Sequence, residues 1–257
     1  MSHLLETQHL HIRIADQVVC NDLNLQMQSG EIWGVLGPNG SGKTTLLHTF
    51  ARLRKAAHGE ILLQGKKLAD LSTKAVAQNI GVLFQNTENG FDQTVFEFCL
   101  AGRHPHLSRF AFEGADDRER VMRALIATDL DKKSAQKVST LSGGEKRRLS
   151  LATLLTQAPR VYILDEPTNH LDIQHQIQIM QHLQQLAAQH HTGIIMSLHD
   201  LNMAEHYCQR ILLLFGDGET IQGTPREILT PNHLTRLFRY PIEQIDINQQ
   251  RRWLPHL

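Results

Sequence analysis

The chain has 257 residues, 41% of them hydrophobic and 20% charged, which suits one large domain with a packed core and excludes wholesale disorder. Lysine plus arginine equals aspartate plus glutamate at 26 each, so the net charge is zero, and indiscriminate nucleic-acid binding, which needs a basic surface, is not expected. Cys20, Cys99 and Cys208 are odd in number and far apart, which excludes a disulfide framework or zinc site and fits a reducing compartment.

The 16 histidines are scattered without metal-ligand spacing and read, nearly all, as surface residues. Met1-Ser2-His3-Leu4-Leu5-Glu6 has no basic stretch followed by a long apolar run, so no signal peptide is expected. No segment approaches the roughly 20 apolar residues that cross a bilayer. Work at a membrane would need another chain to hold this one there.

In chain order, residues 3–36 alternate polar and apolar in short runs. Leu4 to Ile14, Val18-Val19 and Leu23 to Met27 predict strands of a largely antiparallel sheet. Glu31 to Leu36 reads as a buried strand, and Lys43 to about Leu53 as a helix. Gly59 to Gly65 and Ile80 to Phe84 predict further strands. From Asn86 to about Thr140 the character turns helical. Thr94 to Gly102 carries Val95, Phe98 and Cys99 at helical spacing, and Asp116 to Leu130 places Val121, Leu125 and Ile126 on one face. Ser142 opens a helix through Leu149, Leu151 and Leu155. Arg160 to Leu164 has the unbroken apolar character of a central parallel strand. Ile173 to Gln189 predicts an amphipathic helix with Ile177, Met180, Leu183 and Leu186 inward. Gly193 to Ser197 is another buried strand, and Asp200 caps the helix after it. Arg210 to Phe215 and Glu219 to Gln222 form a hairpin, and Ile242 to Ile247 is a possible last strand.

The stretch Gly37-Pro38-Asn39-Gly40-Ser41-Gly42-Lys43-Thr44-Thr45 fits the phosphate-binding pattern G-x-x-x-x-G-K-[ST] between a strand and a helix. Its glycines let successive N–H groups point into one concavity, Lys43 adds a positive charge, and the Thr44 hydroxyl suits Mg²⁺. Two more strands end in polar groups, one in Asp165-Glu166 and one in His199. In a parallel sheet these ends share the edge where α/β folds bind ligands. Asp165 is placed to hold Mg²⁺, and Glu166 to orient or deprotonate a water. His199 can hydrogen-bond a terminal phosphate and link it to Glu166, and Gln85 can touch both ion and water. Leu141-Ser142-Gly143-Gly144-Glu145 makes a second anion site from bare N–H groups at a helix start, about a hundred residues from the first. One nucleotide loop with two phosphate-binding ends makes sense if the second end completes a site on another copy.

These residues resemble the motifs of ATP-binding cassette (ABC) ATPases. Gly37 to Thr45 is similar to their Walker A loop, Val161 to Glu166 to their Walker B strand and catalytic carboxylate, and Leu141 to Glu145 to their signature motif. Gln85 matches the Q-loop glutamine, Asn169-His170-Leu171-Asp172 the D-loop, and His199 the switch histidine. The resemblance implies one α/β domain over residues 1–257, a P-loop NTPase core with mixed sheet and flanking helices plus an antiparallel β subdomain. Those parts would take residues 1–85 and 155–230, an inserted helical subdomain 86–154 and a short tail 231–257. It further implies hydrolysis of ATP with Mg²⁺ by two cassettes closing head to tail, most simply a homodimer. Each ATP would lie between one Walker A loop and the partner's Ser142-Gly143-Gly144, with Asp172 at the interface. Where relatives stack an aromatic residue on adenine, this chain has Ile14, apolar but without an aromatic face.

Ala101 to His106, Leu171-Asp172-Ile173, His199 to Asn202, Gly223-Thr224-Pro225 and Glu227 to Thr230 are similar to cassettes of importers for iron–siderophores, haem and vitamin B12. That similarity implies integral-membrane permease subunits as partners, received around Phe91 to His106. It also implies a solute-binding protein acting indirectly and a peripheral place on the cytoplasmic face of the inner membrane. A soluble cassette ATPase acting on nucleic acid or ribosomes, and the ATPase of an exporter, are the alternatives. No nucleic-acid partner is expected at zero net charge.

Overall fold

The computed structural model describes residues 3–85, 92–107, 114–169 and 171–256. Met1, Ser2, Asn86, Phe91 and His170, each named above, lie outside the described residues. The first half of the chain runs β1 (Leu5–Ile14), β2 (Gln17–Leu23), β3 (Gln26–Met27), β4 (Ile32–Leu36), α1 (Lys43–Phe50), β5 (His58–Leu63), β6 (Lys66–Lys67), α2 (Thr73–Asn79), β7 (Ile80–Leu83), α3 (Val95–Leu100) and α4 (Ala115–Ala127). The second half runs α5 (Gly143–Gln157), β8 (Val161–Leu164), α6 (Ile173–His190), β9 (Gly193–Ser197), α7 (Leu201–Tyr207), β10 (Arg210–Leu214), β11 (Thr220–Gly223), α8 (Pro225–Ile228), α9 (Pro231–Phe238), β12 (Ile242–Ile247) and β13 (Gln250–Pro255).

The central sheet has the order β11-β10-β4-β9-β8-β7. From β10 to β7 all neighbours are parallel, and β11 pairs antiparallel at one edge. Its strands look uniformly apolar in sequence because both faces are covered. Alternate residues serve different cores. Ile32, Leu36, Tyr162, Leu164, Ile194, Met196, Ile211 and Leu213 face one cluster with α6 and the C-terminal helices. Trp33, Val35, Val161, Ile163, Ile195, Leu212 and Leu214 face the other, with α1 and the antiparallel sheet. That second sheet has the order β2-β1-β5-β6, with β3 also paired to β1. A third cluster joins Val95, Cys99, Val121, Leu125, Leu149 and Ala152, from α3, α4 and α5. Helix α5 is shared, since its Leu151 and Leu154 belong to the first cluster. Each fully buried side chain of this size contributes about 1.5–3 kcal/mol.

Two predicted helix faces are corrected. In α4, Ile126 is 62% exposed, whereas Val121, Ala124 and Leu125 are buried. Five residues from Val121 is about 140° round a helix, off the arc that Ala124 and Leu125 define. In α6, Ile177 is 40% exposed and Ile179 is buried in its stead beside Met180 and Leu183. The buried arc is centred between Met180 and Leu183, and Ile177 lies on its far flank. Helix α1 ends at Phe50, short of Leu53, because Arg52 takes a φ of 59°. Three helices are additions to the sequence reading: α2 capped by Ser72, α8 by Thr224 and α9 by Thr230. In α8 and α9 a proline at the first position follows the capping threonine. The expected last strand, β12, pairs with an unanticipated β13, whose Trp253 is buried in the first core.

Candidate nucleotide site

The parallel strands bring their C-terminal ends to one edge, where β4, β7, β8 and β9 each hand over to a polar group. After β4, the loop from Gly37 to Gly42 leads into α1, and Gly42 precedes the helix with a φ of 97°. A side chain at Gly42 would be strained by that backbone and would strike Val19 Cγ1 at 2.6 Å. A Cβ at Gly37 would come within 2.5 Å of Ser41 Oγ and 2.6 Å of the Leu214 carbonyl. The loop is therefore closed tightly over its own backbone, with the N–H end of α1 turned to the space above. Lys43 is 6% exposed and its Nζ donates to the carbonyls of Gly37 at 2.7 Å and Pro38 at 3.1 Å. Burial lowers its pKa, and the charges of Glu166 and Asp165 oppose that.

Asp165 follows β8 and is 1% exposed. Its Oδ1 accepts from Ser197 Oγ at 2.6 Å, while its buried Oδ2 has no partner. A buried carboxylate oxygen without a donor is costly, and a cation above it would satisfy it. Ser197, at the end of β9, also accepts from the Glu166 N–H at 2.8 Å, so one hydroxyl ties the two acidic residues to the neighbouring strand. Glu166 itself has a φ of 51°, in the left-handed region. Its Oε1 is 2.7 Å from His199 Nε2, and its Oε2 accepts from Gln85 Nε2 at 3.0 Å and from Asn169 Nδ2. Burial pushes the Glu166 carboxyl up, but His199, Gln85 and the Lys43 charge outweigh it and hold the pKa below the ordinary glutamate value. An ionised carboxylate thus faces the same space as the lysine.

That space is a cavity of about 830 Å³ lined by Ile14, Gln17, Asn39, Gly40, Gly42, Lys43, Thr44, Thr45, Gln85, Glu166, Asn169 and His199. Of the remaining sequence candidates, Pro38 and Ser41 line an adjacent cleft with Phe215 and Leu237. Gly37 and Asp165 are buried and do not line the cavity. Ser142, Gly143 and Gly144 do not line this cavity. They stand at the start of α5, where Ser142 and Gly143 are exposed. Ser142 Oγ accepts from Glu145 N at 3.3 Å, and Glu145 Oε2 accepts from Ser142 N at 2.8 Å. The bond from Lys133 to Glu145, aided by that Ser142 N–H, holds the Glu145 pKa down to about 2. Among the described residues no group of three or more His, Cys, Asp or Glu could hold a metal by itself. Sequence reasoning missed Gln17, whose Nε2 donates to Gly40 O at 2.5 Å, and Ser197. It also gave Asn169 no contact with Glu166. A serine closing an apolar strand beside the Asp165-Glu166 strand was the one available signal.

The model of the ABC transporter family matches residues 20–169, which include the loop, both acidic residues and the start of α5. The chain belongs to the ABC transporter family. This ABC protein is 35% identical to the iron(3+)-hydroxamate import ATP-binding protein FhuC of Bacillus subtilis, over 93% of this chain and 89% of that one. Among solved structures it superposes on a chain of a metal-chelate type ABC transporter in an inward-facing conformation, with a TM-score of 0.86 and 26% identity, covering 99% of this chain and 98% of the other. It is also similar to an ATP-binding cassette solved as a dimer in a post-hydrolysis state with ADP and Pi, with a TM-score of 0.74 and 27% identity over 86% of this chain and 99% of that one. The α/β cassette fold is that of its relatives, and the chain is an ATP-hydrolysing ABC protein. Among the described residues no helix is long and apolar enough to cross a membrane.

Proposed function

We propose that this ABC ATPase energises the import of a metal chelate, of the iron–siderophore, haem or cobalamin class. The similarity to a hydroxamate import protein and to a metal-chelate type transporter supports the cargo class. Two copies would act together, docked on integral-membrane permease subunits at the cytoplasmic face of the membrane, with a solute-binding protein delivering cargo from the other side. The antiparallel and parallel sheets with their helices form the catalytic body. The helical subdomain is read as residues 86–154, whose described part has a core cluster of its own, and the stretch near residues 92–106 would receive the membrane subunit.

The observation that carries the reading is Glu166, held by His199, Gln85 and Asn169 on the wall of the cavity that Lys43 and Thr44 also line. ATP phosphates fit the loop N–H groups and Lys43, and the base packs near Ile14. The unpartnered Asp165 Oδ2, with Thr44 and Gln85, fits Mg²⁺, which when bound neutralises phosphate charge. Glu166 takes a proton from the attacking water as its oxygen bonds to the γ-phosphorus; the bond from phosphorus to the bridging oxygen breaks, and ADP carries away that electron pair. His199 orients the carboxylate and reaches the terminal phosphate. Ser142, Gly143 and Gly144 complete the site on the partner copy.

The test is purification from membranes followed by reconstitution. Integral-membrane chains should accompany this subunit, and vesicles holding the complex should accumulate a ferric hydroxamate only with ATP on the subunit's side. Ferric hydroxamate efflux, or a nucleic-acid partner instead of membrane chains, would refute the assignment.

A further inference from the structure

Arg147 is a buried cation, 6% exposed, whose hydrogen bonds all go to main-chain carbonyls. Its Nη1 donates to the carbonyl of Phe84 and more weakly, at 3.4 Å, to that of Gln85. Its Nη2 donates to the carbonyl of Asp165 and, at 2.7 Å, to that of Glu166. One planar guanidinium therefore clasps the chain just past β7 and just past β8. These two segments carry the Gln85 and Glu166 side chains, which meet at 3.0 Å. Burial lowers the Arg147 pKa, and the charges of Asp165 and Glu166 oppose that. Its Nε is buried without an acceptor, so the clasp is not saturated in this state.

The clasp originates in α5, little more than one turn beyond the exposed Ser142 cap. Helix α5 belongs to both the first and the third core cluster. A displacement of its first turn is passed to whatever Arg147 holds. The held segment includes Glu166 at a φ of 51°, a conformation that persists only where the surroundings enforce it.

We propose that Arg147 is the positioning residue of the hydrolytic carboxylate: it fastens the anion-binding end of α5 to the strand ends that carry Gln85 and Glu166. Occupation of the Ser142 cap by a partner's nucleotide is thereby transmitted to the proton acceptor of the other site on the same chain. The inference rests on the reading of Glu166 as the base. A lysine keeps the charge but has one nitrogen in place of a fork, and it cannot hold both strand ends in this geometry.

The experiment compares the wild type, Arg147→Lys, Arg147→Ala and Glu166→Gln in the complex with the membrane subunits, measuring kcat, KM for ATP and the thermal midpoint. Arg147→Lys should stay folded, lose about tenfold to a hundredfold in kcat and change KM for ATP by less than about twofold, the pattern of a misplaced carboxylate beside an intact phosphate loop. Millimolar guanidinium should raise kcat of Arg147→Ala several-fold and leave the wild type unchanged. Arg147→Lys with wild-type kcat, an Arg147→Lys chain that does not fold, or loss of kcat and ATP affinity in step without guanidinium rescue would overturn the proposal. Glu166→Gln separates the two readings: its full activity removes the base itself, whereas its inactivity beside a fully active Arg147→Lys removes only the clasp.

Discussion

Two anion-binding ends of this chain are built in opposite ways. At the β4–α1 junction the loop is closed on itself, Lys43 is nearly buried, and Glu166 is held by Ser197, His199, Gln85 and Asn169. At the start of α5, Ser142 and Gly143 are exposed, and the capping box closes the helix end, with Glu145 also bonded to Lys133. The first end is preorganised at the expense of backbone strain at Glu166 and an orphaned Asp165 oxygen. At the second, Ser142 has an ordinary φ of −65°, and Ser142, Gly143 and Gly144 do not line the cavity of the first. On the proposed function, the contrast separates an end made to do chemistry from a half-site that a second molecule would complete.

The largest expected effect is at the carboxylate. Glu166→Gln keeps the shape and three neighbours but cannot accept a proton, so steady-state turnover should fall by about 10²–10⁴-fold with ATP binding retained. Phosphate release assays beside equilibrium binding measure both, and undiminished turnover would remove Glu166 from the role. Lys43→Ala acts on binding itself: losing a charge-assisted contact of about 1.5–3 kcal/mol should weaken ATP binding roughly ten- to a hundredfold. Titration with a fluorescent nucleotide reads this directly, and unchanged affinity would contradict the loop assignment. Ser197→Ala tests the frame behind the site. It frees the Glu166 N–H and leaves Asp165 without its donor, which should cost about 1–3 kcal/mol in urea unfolding, with turnover also reduced.

The smallest effect belongs to the outward end. Glu145 has a pKa of about 2 against an ordinary 4.5, so its stabilising contribution is complete above pH 4.5 and fades as pH falls toward 2. Glu145→Gln should therefore flatten the acid dependence of stability between those values, with its loss of stability present at neutral pH and vanishing as the pH falls toward 2. An unaltered acid slope, read from urea midpoints, would show that the capping box contributes nothing measurable.

Much of this is legible in the sequence. The loop from Gly37 to Thr45 is a local pattern, and its strand and helix neighbours are dictated by period and composition alone. The apolar runs at Val161 and Gly193 announced parallel strands because both of their faces are buried. What stayed hidden depends on neighbours distant in sequence. Ser197 is an ordinary small residue until β8 lies beside β9, and Asn169 is a loop residue until it touches Glu166. Arg147 reads as one of several charges after Gly144, yet it is buried by the convergence of β7 and β8. The end of the tail is likewise settled by distant partners: in β13, Arg251 pairs with Glu205 at 2.8 Å and its guanidinium lies 5.5 Å from the Trp253 ring centre. Hydrophobicity alone places Ile126 and Ile177 inward, whereas helix geometry turns them out.

The mass of the ATP-bound species in solution tests the shared site most directly, measured by light scattering for Glu166→Gln with and without Ser142→Arg. With saturating Mg²⁺-ATP, Glu166→Gln should run as a dimer, and the double variant should remain a monomer that still binds ATP. A double variant that dimerises as readily as Glu166→Gln would contradict the claim that the outward end of α5 completes the partner's nucleotide site.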